Sequence, residues 1–382
     1  MASRLYRTTR PLYLQVSRVL DHLGIAAVGS VTTAILIALY VTGLVLLAAR
    51  PTQTRVTRVL PGRCHDALNR LLRSMPLSTR TLMALLIGWI RRSGTAGYVC
   101  LDDVVVEKAF AKRLPWAGWT YSFAKKRKVY GMHVVVLLWC STDGIWRIPV
   151  AFRLWRPKRT CAPHRYQTKL QLAAGMLTEV VAARLPFQYL VMDTHYTAGW
   201  FTRLAGRLQL TWVGTLAPRT TVVWRGRRQQ VVTLARQLRL GWRPRLGLRA
   251  AAVRVYTPTH GMVRLVVTRN RHGNYDYLVT SDPAADLATV VVRKQSRWQV
   301  ETIFRDTKQY AGLGACQCWT DQAMVRHVAL VLVGFVVLQQ LRRDPTESLA
   351  AVKERWQLAI TRQGEQPPVP LKASPAHLRA TA

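Results

Sequence analysis

A chain of 382 residues with 56 Lys plus Arg against 18 Asp plus Glu carries a formal net charge of +38, well beyond what solubility requires, and this points to a polyanionic partner. Apolar residues make up 49% of it, enough to bury a core, which excludes a wholly disordered basic tail. The six cysteines are scattered, with Cys316 and Cys318 the one close pair, so neither a disulfide framework nor a zinc knuckle is visible and a reducing compartment fits best.

Residues 1–95 read as short helices, broken at Arg50-Pro51 and near Pro61-Gly62, with apolar periodicity at Ala67, Leu68, Leu71 and Leu72. They are compatible with a helix-turn-helix or with a plain bundle. Residues 23–49 carry no charge and are long enough to span a bilayer, but Gly24, Gly29, Ser30, Thr32, Thr33, Thr42 and Gly43 dilute the run. Buried helices are expected there in preference to a membrane span.

From residue 98 the pattern changes to apolar runs of strand length, 98–106, 130–140 and 145–155, the last two joined by an Asp143-Gly144 hairpin turn. A helix follows over 166–183, with Leu170, Ala173, Ala174, Leu177 and Val181 on one face, and then a strand over 187–192 running into Asp193. Three strands, a helix and a fourth strand make a mixed α/β unit. Residues 216–280 alternate like antiparallel strands, with many arginines interspersed, as an inserted β-rich region would. Helical spacing resumes near Ala288 and continues past Tyr310, and an apolar helix covers 322–341. The proline-bearing tail after Gly364 is expected to be disordered.

Acidic residues are so rare that one set in an apolar context needs a reason, because burying an unpaired carboxylate costs several kcal/mol. Asp102 and Asp103 interrupt the first strand, Asp193 ends the fourth, and Glu301 falls within the last amphipathic stretch. An ordinary salt bridge would satisfy any one of them. At 100° per residue, however, Arg297, Glu301 and Lys308 fall within about 40° of one another, beside an apolar face of Val300, Ile303 and Tyr310. A carboxylate flanked by two cations suits phosphodiester chemistry, in which paired divalent ions held by Asp and Glu oxygens activate the attacking oxygen and stabilise the leaving one.

On these residues the sequence resembles DDE transposases of bacterial insertion sequences, in the group with a β-strand insertion and a Tyr-x2-Arg-x3-Glu-x6-Lys signature. The likeness runs over residues 20–345. It rests on Arg297-x3-Glu301-x6-Lys308, on Leu101-Asp102-Asp103, and on the V-M-D-T-H-Y run at 191–196. It implies an α/β fold, a ribonuclease H-like mixed sheet flanked by helices, with an inserted β-rich subdomain and an N-terminal helical domain. The division expected is 1–95 helical and DNA-binding, 96–215 and 284–345 the two parts of the catalytic core, 216–283 the insertion, and 346–382 a largely disordered tail.

The resemblance further implies that Asp102, Asp193 and Glu301 are the catalytic carboxylates and bind Mg²⁺ or Mn²⁺, as two ions, and that Arg297 and Lys308 contact DNA, with Arg305 and Lys294 beside them. Asp103 is the alternative first ligand, since neighbours on a strand point to opposite faces and only one of the pair can serve. The partners implied are terminal inverted repeats and target DNA, with a homodimer pairing two ends, in a bacterial cytoplasm at the nucleoid. The signature tyrosine is replaced by Lys294, which removes base stacking at that position. A protein that keeps the fold and binds DNA without cutting it is therefore the alternative, and a basic domain on a membrane anchor is a third reading. His195 and three tryptophans in or beside the insertion, Trp212, Trp224 and Trp242, are lesser candidates, as is the basic run Lys125, Lys126, Arg127 and Lys128.

Overall fold

The computed structural model describes residues 2–361 other than 28, 48–51, 60–64, 75–77, 110, 112–113, 123–124 and 319. The expected helix breaks at Arg50-Pro51 and Pro61-Gly62 and the tail after Gly364 lie outside the described residues. Five helices open the chain: α1 (Ala2–His22), α2 (Val31–Leu46), α3 (Gln53–Val59), α4 (His65–Ser74) and α5 (Thr79–Ser93). The uncharged run at 23–49 is thus not one rod. Gly24 takes a left-handed conformation (φ 78°) after α1, and the Ser30 side chain caps α2 by accepting from the Thr33 N–H. One described helix, Asp321–Gln340, is long and apolar enough to cross a membrane, and it lies mostly buried inside the chain.

The strands follow: β1 (Gly97–Glu107), β2 (Ala117–Ser122), β3 (Arg127–Ser141) and β4 (Arg147–Trp155), then α6 (Lys169–Ala182), β5 (Leu190–Met192), α7 (Gly199–Arg207) and β6 (Trp212–Thr215). β1, β3 and β4 form an antiparallel meander, and β5 and β6 add in parallel on the other side of β1, giving the order β4-β3-β1-β5-β6. This is a ribonuclease H-like sheet. The short strand β2, absent from the sequence-based expectation, pairs with the first half of β3 and extends that side as a hairpin.

The inserted region holds β7 (Thr221–Trp224), β8 (Arg227–Gln230), α8 (Val231–Gln237), β9 (Gly241–Arg243), β10 (Leu248–Thr257), β11 (Gly261–Arg269) and β12 (Tyr275–Thr280). β12 pairs antiparallel with β6, so the insertion continues the central sheet. The chain closes with α9 (Leu287–Gln295), α10 (Trp298–Tyr310), α11 (Asp321–Gln340) and α12 (Leu349–Thr361). Two expectations are corrected here. The single helix expected from 288 past 310 is two, parted at Ser296-Arg297, and the expected tail from 346 includes α12, held down by buried Val352 and Trp356.

The N-terminal helices and α10, α11 and α12 share one apolar core with the sheet, while α9 packs through Val290 and Val291 in a second, smaller cluster with Val213, Val266 and Leu278. A buried polar contact ties α11 to the N-terminal helices: His327 on α11 is fully buried, its Nε2 donates to the Gly312 carbonyl (3.1 Å), and its Nδ1 accepts from the Tyr40 hydroxyl on α2 (2.8 Å). Burial, helped by the Lys108 charge, lowers the His327 pKa from 6.5 to about 3. Because the folded state refuses this proton, the contribution is complete above pH 6.5 and is lost as pH falls toward 3. Tyr40→Phe leaves Nδ1 buried without a donor and should cost about 1–3 kcal/mol, read as a lower urea midpoint at pH 7.

Candidate active site

The site is built where β5 ends beside the middle of β1. In the β1–β5 register Leu101 lies opposite Met192, so the next residues stand side by side, Asp102 midway along β1 and Asp193 just past the end of β5. The Asp193 carbonyl accepts from the Thr197 N–H (3.1 Å) and hydroxyl (2.6 Å), and its Oδ1 accepts from the Tyr196 N–H (3.1 Å). That turn fixes the aspartate at the strand end.

Glu301 is contributed by α10. It lies in the first turn of that helix and not mid-helix as expected, with Arg297 at the N-cap position. A carboxylate there is favoured by the positive helix end. The Arg297 guanidinium lies between the carboxylates, its Nη1 donating to Asp102 Oδ2 (2.7 Å) and its Nη2 to Glu301 Oε1. Cys100, two residues before Asp102 and on the same face of β1, meets the Ser296 carbonyl at 3.7 Å, so α10 begins directly over this face. The helix stripe expected to present Glu301 between two cations is thus observed only in part: Arg297 reaches the carboxylates, whereas Lys308 sits two turns on at the surface.

Burial, then the neighbouring Asp193 charge, pushes the Asp102 carboxyl up to about 7, only partly offset by Arg297. Lys294 is the other cation here. Its Nζ donates to the Met192 carbonyl (2.8 Å), and burial followed by repulsion from Arg297 lowers its pKa to about 8. Lysine at the expected tyrosine position therefore serves the strand end that carries Asp193.

Asp103 has a different surrounding on the opposite face of β1. Its Oδ2 accepts from His133 Nδ1 (2.8 Å) and from Lys169 Nζ at the start of α6 (2.7 Å), and its Oδ1 accepts from the Tyr196 hydroxyl (3.0 Å). His133 Nε2 meets the Thr120 hydroxyl of β2 at 2.9 Å. Burial alone would raise this carboxyl, but His133 and Lys169 outweigh it and hold it well below the usual carboxylate range. Strand alternation separates the two neighbours: Asp102 faces Asp193 and α10, and Asp103 is enclosed by partners from β3, α6 and the 193–197 turn. His133 and Lys169 were missed in the sequence, where nothing in their local pattern sets them apart; Tyr196 closes the V-M-D-T-H-Y run but was given no role.

The other expected residues are placed as follows. Arg305 is exposed and its Nε donates to buried Asp306 (3.2 Å), and Lys308 is exposed with its pKa lowered by desolvation and by the nearby Lys125. His195 is exposed. Trp212 is buried in the core, Trp224 is half-buried under Arg225, and Trp242 is half exposed.

Among the described residues no three Asp, Glu, His or Cys side chains are drawn closely enough together to grip an ion as they stand. The donor set nonetheless fits a hard divalent cation: Asp102 and Asp193 are adjacent, partly buried and mutually repelling, and Glu301 is parted from Asp102 by one guanidinium.

The family model described as DDE superfamily endonuclease matches residues 30–273, and the chain belongs to that family. Membership implies a metal-dependent nuclease or transposase with DNA as its substrate. The match includes Asp102 and Asp193 and ends before Glu301. No curated protein matches the chain.

The two aspartates should answer oppositely to loss of charge. Asp102 has a folded pKa above its unfolded value, so the folded state holds the extra proton and stability falls as pH rises from about 4 to 7. Asp103 has a depressed pKa, so its contribution is complete above about pH 4 and is lost as pH falls below that. In EDTA at pH 8, Asp102→Asn is expected to raise the unfolding free energy by on the order of a few kcal/mol, read as a higher melting temperature, whereas Asp103→Asn lowers it comparably. Thermal melts at pH 8 and pH 4 check both signs.

Proposed function

We propose that this protein is a DDE transposase that cleaves phosphodiester bonds at the ends of a mobile element and joins the freed 3′ ends to target DNA, with Asp102, Asp193 and Glu301 as its metal ligands. The observation that carries this reading is that parallel pairing of β1 with β5 sets Asp102, midway along β1, beside Asp193 at the end of β5, with the first turn of α10 bringing Glu301 to the same face. Family membership and the net charge of +38 support it from independent directions.

In this reading the three carboxylates would hold Mg²⁺ or Mn²⁺, as two ions, which when bound activate the attacking oxygen and stabilise the leaving one. Arg297 has the reach and the planar fork to leave the carboxylates for a phosphate, where it would position the scissile strand. Lys294 stays bound to the strand end and adds positive potential beside Asp193. Lys308 and Arg305 extend the cationic surface along α10. Asp103, with His133, Lys169 and Tyr196, holds β1 and the 193–197 turn in register. Pairing two element ends calls for a homodimer.

A second reading has its own observation. Arg297 and Lys294 already bring two positive charges to the three carboxylates, which is how a DNA-binding protein that no longer cuts would neutralise them. Metal-dependent nicking of supercoiled plasmid separates the two. A transposase nicks in Mg²⁺ or Mn²⁺ and stops in EDTA, and Asp193→Ala and Glu301→Ala each lose at least about a hundredfold in nicking while DNA retention changes little. Retention of DNA with no nicking at any metal concentration would establish the binding protein instead, and normal cutting by either variant would sink the site assignment.

A further inference from the structure

The hairpin of β2 and β3 lies outside the site just described, yet the register of the sheet connects the two. Asp102 pairs with Val136, and along β3 the residues on Val136's side are Val134, Met132, Tyr130 and Lys128. Met132, Tyr130 and Lys128 pair in turn with Ala117, Trp119 and Tyr121 of β2. Trp119, Tyr121, Tyr130 and Lys128 therefore face the same side of the sheet as Asp102, the side on which α10 starts.

Along this face burial gives way to exposure. Ala117 and Met132 are buried, whereas Trp119 is 68% exposed and Tyr121 is 46% exposed. Trp119 stands edge-on to Tyr130 with ring centroids 5.7 Å apart. Large aromatic rings exposed side by side on an edge strand are costly to leave in water and hazardous for aggregation, so they imply an occupant. The charge around them indicates which one. The hairpin turn carries Lys125, Lys126, Arg127 and Lys128, all exposed. Lys125 stands close enough to Lys308 on α10 to lower the lysine's pKa, so the basic turn and the cationic end of α10 are neighbours. Glu107 pairs with Lys125 and Arg127 and holds the turn beside the end of β1.

We propose that this face of the β2–β3 hairpin is a stacking platform for single-stranded DNA, taking unpaired nucleotides next to the strand end held at the carboxylate site. Rings supply the π faces on which bases stack whatever their sequence, and the turn and Lys308 track the phosphates. Duplex DNA offers its phosphates but not its base faces, so the exposed rings select the unpaired form. The proposal rests on the transposase reading only for its location; the stacking itself needs no cleavage.

Two measurements on the full-length chain test it. Fluorescence anisotropy with a labelled single-stranded oligonucleotide and with a duplex of the same length compares the wild type with Trp119→Ala/Tyr121→Ala and with Trp119→Phe/Tyr121→Phe. The alanine pair should weaken single-strand binding tenfold or more and leave duplex binding within about twofold, while the phenylalanine pair restores it. An equal loss on both DNAs, or no loss on either, would overturn the platform, as would a change from dimer to monomer in light scattering, which would make the face an interface between copies. Photocrosslinking wild-type protein to bromodeoxyuridine-substituted single strands avoids any folding defect: adducts on Trp119, Tyr121 or Tyr130 support the proposal, and adducts confined elsewhere refute it. Plasmid nicking by the same variants keeps this outcome separate from the function itself.

Discussion

Two carboxylates set side by side, one midway along β1 and one at the end of the parallel strand β5, repel each other, and much of this molecule is arranged around that repulsion. Parallel pairing of β1 with β5 puts Asp102 beside Asp193, and burial denies them the water that would screen the charge. A cation has to come from somewhere. Arg297 supplies one, from the N-cap of a helix whose first turn also delivers Glu301. Fold and site are therefore one problem: the break between α9 and α10 brings an arginine and a glutamate to the same pair of aspartates.

The other face of β1 solves the opposite problem. Asp103 is as deeply placed as Asp102, but it is given three donors, from His133, Lys169 and Tyr196, and is stabilised as an anion. One acid is left needing a charge and its neighbour is fully provided for, and the alternation of a β-strand is enough to produce the difference. A partnered acid stiffens the scaffold, here by joining β1, β3, α6 and the turn after β5. An acid short of partners is available to a ligand.

Much of this was legible in the residues. Rare acids set in strand-length apolar runs gave Asp102 and Asp193, and the Arg297-x3-Glu301 spacing gave the helix stripe. The meander, the α6 helix and the β-rich insertion followed from periodicity. What could not be read depended on contacts distant in sequence. The choice between Asp102 and Asp103 turns on which neighbours each face meets. The break at Ser296-Arg297 has no Gly or Pro to announce it; there the Ser296 hydroxyl turns back to the Arg293 carbonyl (2.6 Å). β2 is only six residues long, with Gly118 inside it, and its alternation of Trp119 and Tyr121 has meaning only once β3 is beside it. α12 looked like part of a polar tail until its Val352 and Trp356 were seen in the core.

In the proposed transposase, Asp102, Asp193 and Glu301 form a divalent-cation site which Arg297 spans. Titration of the full-length chain with Mn²⁺ at about pH 8, above the raised Asp102 pKa of about 7, followed by the loss of the free-ion electron paramagnetic resonance signal, tests it without any DNA or cleavage. Saturable binding is expected, which Asp193→Asn and Glu301→Gln each weaken at least about tenfold and which Arg297→Ala strengthens. Equal Mn²⁺ binding by the wild type and both carboxylate variants would contradict it.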